Sequence, residues 1–225
     1  MKQIKNARPT HPEKSEVSPA VVNRLPRYFR YLRELIRQGR SRISSGELSE
    51  MMNVTASQIR QDLNCFGGFG QQGYGYNVNF LYAKISEILG VGEGYAAIVV
   101  GIGNLGSALV RNPMFENRGV DVVGLFDSDP AKVGAAIGEL SVRDMKDLES
   151  FLGQTRVDIA VLTVPKDAAD AVADRLAAAG VPGIWNFTGC ELDHRLPDTV
   201  IESVHLGDSL MRLCFGLRES GKEET

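Results

Sequence analysis

The stretch "AAIVVGIGNLGSAL", residues 96–109, sets Gly101, Gly103 and Gly106 at G-x-G-x-x-G spacing directly after an apolar run. Between a strand and a helix, three glycines so spaced have separate duties. The first permits a tight turn, the second lets a pyrophosphate approach the backbone, and the third lets the helix pack on the strand. The helix N-terminus then faces the phosphates. The run "VDVVGLFDSD", 120–129, reads as the next strand and ends in Asp127, a carboxylate suited to a ribose 2′-hydroxyl. No arginine follows at Ser128 or Asp129, which favours NAD(H) over its 2′-phosphorylated form. Asp129, just before Pro130, reads as a helix cap.

Hydride chemistry at such a site needs a proton donor and a place for substrate. The three histidines are His11 near the N-terminus, His194 in an irregular segment and His205 before the last helix. No Ser-Tyr-Lys cluster is present, and no length for a substrate domain remains after residue 205. A dinucleotide site without a substrate site suits a sensor.

The elements that would carry the site follow from hydrophobic patterning. "AAIVVG" reads as a buried parallel strand, and residues 104–111 open a helix. "VDIAVLTVP", "GIWNF" and "TVIESV" are further strands, with "DAADAVADRLAAAG" an amphipathic helix between the first two. The alternation predicts an α/β fold, a doubly wound parallel sheet of the Rossmann type over residues 96–205. "FLYAKISEILGVGE", 80–93, reads as a short amphipathic helix and a connection, giving a linker helix over 81–95.

The first third of the chain has a different character. Residues 1–80 carry 12 Lys+Arg against 6 Asp+Glu, whereas residues 81–225 carry 13 against 22. A basic first third on an acidic body suits an anionic partner for that third alone. Residues 1–17, with Pro9 and Pro12 and little apolar content, read as a flexible arm. Ser18-Pro19 supplies an N-cap and a first-turn proline. Leu25, Tyr28, Phe29, Leu32, Leu35 and Ile36 follow at helical spacing, with Pro26 kinking or restarting the helix and Gly39 ending it.

Ser44 with Glu47, and Thr55 with Gln58, form two capping-box patterns that delimit two short helices joined at Asn53-Val54. Leu48, Met51, Met52, Ile59 and Leu63 point inward, and Ser57, Arg60, Gln61 and Asn64 share the outer face of the second helix. This is a helix-turn-helix pattern whose second helix offers arginine for guanine and glutamine or asparagine for adenine. Ser45, Thr55 and Gln58 complete the candidate DNA-binding set on these helices. "GGFGQQGYGYNV" then reads as a glycine-rich hairpin, the wing of a winged helix-turn-helix over 18–80, with Gln71 and Gln72 as neutral donors to phosphates.

Cys65, Cys190 and Cys214 are odd in number and widely spaced, which reads as reduced thiols in a cytoplasmic protein and not as a disulfide or zinc framework. Buried small apolar residues are the expected role. No apolar run is long enough for a membrane span and no metal motif is present.

In order along the chain, "RLPRYFRYL", "RISSGELSE", "VTASQIRQDL", "FGGFGQQGYGYNV", "VGIGNLGSAL", "FDSDPAKVG", "LTVP" and "GIWNF" resemble the Rex redox-sensing transcriptional repressors of bacteria. The similarity runs from about Pro19 to Leu217. It implies a homodimer with a C-terminal helix, 206–219, swapped onto the partner, and repression at palindromic double-stranded operator DNA that is relieved when NADH rises. NAD and NADH would be sensed ligands and the protein would not be an enzyme. The cofactor-binding set implied is Gly101, Ile102, Gly103, Asn104, Leu105, Gly106, Asp127, Thr163, Val164, Pro165 and Phe187. Arg30, Asn112 and His205 stand at the positions of the family's interdomain switch. The chain departs from the family at several points: Gln61 stands for a lysine, Asn64-Cys65 for a small residue and an aromatic, and Gln71-Gln72 for a basic pair. His205-Leu206 replaces an Asp-Phe-like pair, and Asn112 a tyrosine. Two other functions compete: a small NAD-dependent reductase with an appended DNA-binding domain, and a regulator sensing another nucleotide such as coenzyme A.

Overall fold

The computed structural model describes residues 18–64, 70–71, 75–193 and 196–220. The expectations placed on residues 1–17, Cys65, Gln72 and His194 lie outside them. The chain divides into two units, Met1–Val91 and Gly92–Thr225.

In the first unit, α1 (Pro19–Val22) and α2 (Leu25–Arg37) are separate helices. Pro26 sits in the first turn of α2, where its missing N–H costs nothing, so it restarts the helix instead of kinking it. Leu25, Tyr28, Phe29, Leu32 and Leu35 are buried in the unit's core, and Ile36 packs at its edge. After β1 (Arg42–Ile43), α3 (Ser45–Met52) opens on a complete capping box: Ser44 Oγ accepts from the Glu47 amide at 3.1 Å and Glu47 Oε2 from the Ser44 amide at 2.9 Å. Asn53 adopts the left-handed conformation (φ 48°), the only non-glycine to do so among the described residues, and this turns the chain into α4 (Ala56–Asn64). The second box is half formed. Thr55 Oγ1 accepts from the Gln58 amide at 3.1 Å, while the Gln58 side chain reaches Asp62 instead.

Strands β2 (Gly70–Gln71) and β3 (Gly75–Asn77) pair antiparallel, and β1 pairs with β3. A helix-turn-helix followed by such a hairpin is a winged helix. Gly75 is obligatory there: its φ is +69°, and a Cβ would lie 2.6 Å from the Ile43 carbonyl oxygen. Helix α5 (Val78–Ile88) starts earlier than the pattern predicts, capped by Asn77, whose Oδ1 accepts from the Phe80 amide. The expected linker helix is a structural part of the first unit: Val78, Leu81 and Ile85 are buried in its core, and the Tyr82 ring stacks on Phe29 at 4.8 Å.

The second unit contains β4 (Tyr95–Val100), α6 (Asn104–Val110), β5 (Val120–Asp127), β6 (Ala136–Ile137), β7 (Leu140–Asp144), α7 (Leu148–Gln154), β8 (Ile159–Leu162), α8 (Lys166–Ala178), β9 (Gly183–Asn186) and β10 (Val200–Ser203). The strand order is β10-β9-β8-β4-β5-β7-β6, parallel except for the β6 edge. Both faces are covered. Ile98 and Val100 belong to one core, while Val99 faces the other with Leu125 and Val161. That two-sided burial is why "AAIVV" is an unbroken apolar run. The chain moves outward from β4 in opposite directions through β5 and β8, which opens a crevice at the carboxyl ends of these strands.

The last helix, α9 (Leu206–Ser220), has no buried residue. Leu206, Leu210, Met211, Leu213, Phe215 and Leu217 are all more than half exposed.

Candidate functional site

Two sites take shape, one in each unit. On the winged helix, Thr55, Ser57, Arg60, Gln61 and Asn64 are exposed, as a recognition face requires. Arg60 Nη1 donates to Ser45 Oγ at 3.1 Å, so the two helices of the motif bring these candidates together. Gln71 lies on β2, opposite Gly75.

Beneath the recognition face lies a charged group that helical spacing hides. Asp62 is completely buried and its carboxylate accepts four hydrogen bonds. Arg24 supplies two, from Nε at 2.7 Å and Nη2 at 2.6 Å. Tyr28 Oη donates at 2.9 Å and Gln58 Nε2 at 2.8 Å. Burial pushes the Asp62 carboxyl upward, but the bonds from Arg24, Gln58 and Tyr28 outweigh it and leave the group below the ordinary carboxylate range. The Tyr28 hydroxyl is pushed up by burial and by its bond to Asp62. Gln58 therefore looks inward as well as outward: Asp62 holds its amide in one orientation. The clue available in the sequence is that Asp62 falls between Ile59 and Leu63 on the apolar face.

In the second unit the glycine turn sits at the crevice. Gly101 has φ +94°, and a Cβ on it would lie 2.7 Å from both the carbonyl carbon and oxygen of Thr163. A Cβ on Gly106 would collide with the Gly101 carbonyl oxygen. Gly103 differs: nothing lies within 4 Å of where its Cβ would be. Two glycines are thus demanded by the protein's own packing, and the third leaves room for something outside it. That is the pattern a pyrophosphate cradle requires, so these residues fit a dinucleotide. Thr163 Oγ1 donates to the carbonyls of Gly101, at 2.7 Å, and Val100, at 3.1 Å, pinning the turn to the end of β8.

Asp127 ends β5 beside this turn. Its Oδ2 accepts from the Ile102 amide at 2.7 Å and from Lys132 Nζ at 3.0 Å, and its Oδ1 from the Asp129 amide at 2.8 Å. Burial raises this carboxyl, and the bonds from Asp129, Lys132 and Ile102 overcome the effect, so it too titrates below the ordinary range. Asp129 caps a turn and not the expected helix: its Oδ1 accepts from the Ala131 amide at 2.9 Å, and no helix stands between β5 and β6. Asn104 and Leu105 are exposed at the start of α6, Ile102 is buried, and Val164 and Pro165 lead into α8. The Phe187 amide donates to the Leu162 carbonyl at 2.9 Å, and the Phe187 ring stands 4.7 Å from that of Trp185.

Two further residues organise this unit without a sequence signature. Asn186 is completely buried at the end of β9 and ties four groups: Nδ2 donates to the Cys190 carbonyl and Ser203 Oγ, and Oδ1 accepts from the amide and hydroxyl of Thr188. The second is Lys132. Of the cysteines, Cys190 is buried, whereas Cys214 is exposed on α9, against the expectation of a buried thiol there. Among the described residues no cluster of metal-ligating side chains occurs, and no helix is long and apolar enough to cross a membrane.

The three switch candidates each have a contact within their own unit. Arg30 is exposed on α2, its guanidinium 5.9 Å from the centre of the Tyr31 ring. Asn112 Oδ1 accepts from the Met114 amide at 2.9 Å, a local turn contact. His205 Nε2 lies 3.6 Å from Glu191 Oε1 of the same unit, an ion pair only when the imidazole is protonated.

Known proteins agree with this division. A family model described as "Putative DNA-binding protein N-terminus" matches residues 16–64, and one described as "CoA binding domain" matches residues 92–190. The redox-sensing transcriptional repressor Rex of Thermoanaerobacter pseudethanolicus is 50% identical over 208 residues, 92% of either chain. That of Clostridium beijerinckii is 49% identical over 91% of this chain and 96% of its own. Among solved structures, RSP in complex with β-NAD+ and operator DNA superimposes with a TM-score of 0.85 at 48% identity, covering 94% of this chain and 97% of that one. RSP in complex with β-NADH does so with the same score at 45% identity, covering 94% and 99%. Identity of this extent, spanning both the winged helix and the glycine cradle, places the chain in the Rex family of redox-sensing transcriptional repressors.

Proposed function

We propose that this chain is a homodimeric repressor that grips palindromic operator DNA with its winged helices and lets go when NADH occupies the Gly101–Gly106 cradle. The observation that carries the reading is the open space over Gly103 beside Asp127, in a chain whose other unit presents an exposed recognition helix. Arg60, Gln61, Asn64, Ser57, Thr55 and Ser45 meet the DNA, with Gln58 held ready by Asp62. The backbone of residues 101–106 takes the pyrophosphate and Asp127 the adenosine ribose. Thr163, Val164, Pro165 and Phe187 line the nicotinamide half.

The dimer forms through α9. A single helix of this length is marginal in water without a packed face, and six large apolar residues in solvent are a surface awaiting cover. A second copy of the chain supplies that cover, in keeping with a two-fold operator. The dinucleotide is a signal here, so no proton donor or substrate pocket is required, and the repressor works in the cytoplasm, where its DNA is.

The test starts from a duplex selected from a random library by the purified protein. Fluorescence anisotropy then follows its release during titration with NADH, NAD and coenzyme A. Release by NADH at concentrations where NAD has little effect is expected. Release by coenzyme A alone would reassign the ligand, binding without base preference would remove the operator, and steady loss of NADH absorbance with an aldehyde would restore the reductase.

A further inference from the structure

The cation that sequence inspection fails to find next to Asp127 is present, but it arrives from further along the chain. Lys132 lies on the turn that follows β5. Its amide bonds the Asp129 carbonyl at 3.0 Å, and Asp129 in turn caps the turn through the Ala131 amide. This fold-back brings Lys132 Nζ to 3.0 Å from Asp127 Oδ2 and 3.8 Å from Asp129 Oδ2. The lysine side chain is 39% exposed and Asp127 only 7%, so the ammonium stands on the solvent side of the carboxylate, where a ribose would sit.

We propose that Lys132 is a specificity-determining residue of the ribose pocket, and that the Asp127–Lys132 pair, not Asp127 alone, decides between a ribose 2′-hydroxyl and a ribose 2′-phosphate. The inference rests on Asp127 being the ribose anchor, as read above. While the carboxylate is present, the ammonium is neutralised by it, and a dianionic phosphate meets a net charge near zero plus the second carboxylate of Asp129. Without the Asp127 charge, the same ammonium is a ready donor for phosphate, held in place by its turn. Exclusion of the phosphorylated cofactor therefore depends on one charge balancing another. Lys132 is a dormant phosphate ligand and not a bystander.

The test is a double-mutant cycle read as dissociation constants for NADH and NADPH. Trp185, which neighbours Phe187, serves as the fluorescent reporter. The four proteins are the wild type, Asp127→Asn, Lys132→Met and the double variant. Asparagine keeps an acceptor for the Ile102 amide, and thermal melts by circular dichroism identify any variant that fails to fold. Asp127→Ser, which also keeps an acceptor, replaces it in that case. The Asp127→Asn change is expected to improve NADPH binding relative to NADH by about tenfold or more when Lys132 is present, the scale of one charge-assisted hydrogen bond. That gain should largely vanish in the Lys132→Met background. An equal gain in both backgrounds, or none in either, overturns the role of Lys132 while leaving the cradle as the NADH site. A wild type that does not bind NADH at all removes the dinucleotide reading itself, and this inference with it.

Discussion

Arg24 holds the buried carboxylate of Asp62 with two nitrogens, Nε at 2.7 Å and Nη2 at 2.6 Å, and so bolts α4 to the start of α2. Removing either partner leaves the other without its charge. Because Asp62 is completely buried and Arg24 about a third exposed, the larger penalty falls on losing the arginine. Arg24→Ala should destabilise the winged-helix unit by about 3 kcal/mol or more. Urea unfolding followed by helical circular dichroism measures it, and a loss under ~1 kcal/mol would mean that Tyr28 and Gln58 alone satisfy the carboxylate.

The same unit should be sensitive to acid. Hydrogen bonds from the Ser44 amide and Arg40 hold the Glu47 carboxyl down to about 2, and Asp62 is also depressed. A depressed carboxyl stabilises the fold above its unfolded pKa, near ~4, and loses that contribution as pH falls through the folded value. Unfolding midpoints should therefore fall from about pH 4 down towards 2. The isosteric Asp62→Asn, less stable at neutral pH, should show a shallower fall, and parallel profiles would acquit Asp62.

Arg60 should read a base. Arg60→Ala should weaken operator binding by about 1–3 kcal/mol and relax preference at one base pair per half-site. Ser45→Ala, which removes a neutral hydroxyl from the proposed DNA face together with its 3.1 Å bond to the guanidinium, should cost less. A selected-duplex competition assay with single base changes separates the two effects, and an unchanged base preference in Arg60→Ala would sink the assignment.

The glycines of the cradle should respond in opposite ways. Gly103→Val adds a side chain into open space, so the protein should melt as the wild type does and still bind operator, yet ignore NADH. Gly106→Ala drives a methyl into the Gly101 carbonyl and should lower stability by about 1–3 kcal/mol as well. Release of DNA by NADH from the Gly103→Val variant would move the ligand elsewhere.

Phe215→Glu puts a charge on the exposed apolar side of α9. If two copies bury that helix together, sedimentation should show a monomer and affinity for a palindromic duplex should collapse toward that for a single half-site. A dimer that survives the change, together with Leu210→Glu, would place the interface on another surface.

The cradle and the sheet were legible because their constraints are local. The two-sided burial of β4 writes itself as an apolar run, and Gly101, Gly103 and Gly106 are fixed by spacing within one turn. Asp62, Asn186 and Lys132 were not legible, because each acts through a residue distant in the chain or around a bend. Its place between Ile59 and Leu63 sets Asp62 on the apolar face, but nothing in "IRQDLN" announces that it will meet Arg24. The absence of arginine at Ser128 and Asp129 favours NAD(H) but says nothing of Lys132, which the turn returns to Asp127. The edge strand β6 and its neighbour β7 also escaped notice: β6 has only two residues, and in β7, "LSVRD", Val142 alone is buried among mostly polar positions. The linker reading of α5 failed because an amphipathic helix does not say which core its apolar face will enter.

The bond from the Ile102 amide to Asp127, with the Thr163 hydroxyl clasping Gly101 from the other side, has a bearing on time. Both bonds are made within the chain, so the shape of the glycine turn does not depend on ligand contacts, and at the proposed phosphate site occupancy would not wait for a loop to order itself. A receptor built in advance loses little entropy on capture and fills at a rate close to that of encounter. The delay between a change in the reduced cofactor pool and a change at the promoter is then governed by how quickly ligand and DNA depart, so gene expression can follow metabolism in both directions without a folding step in between.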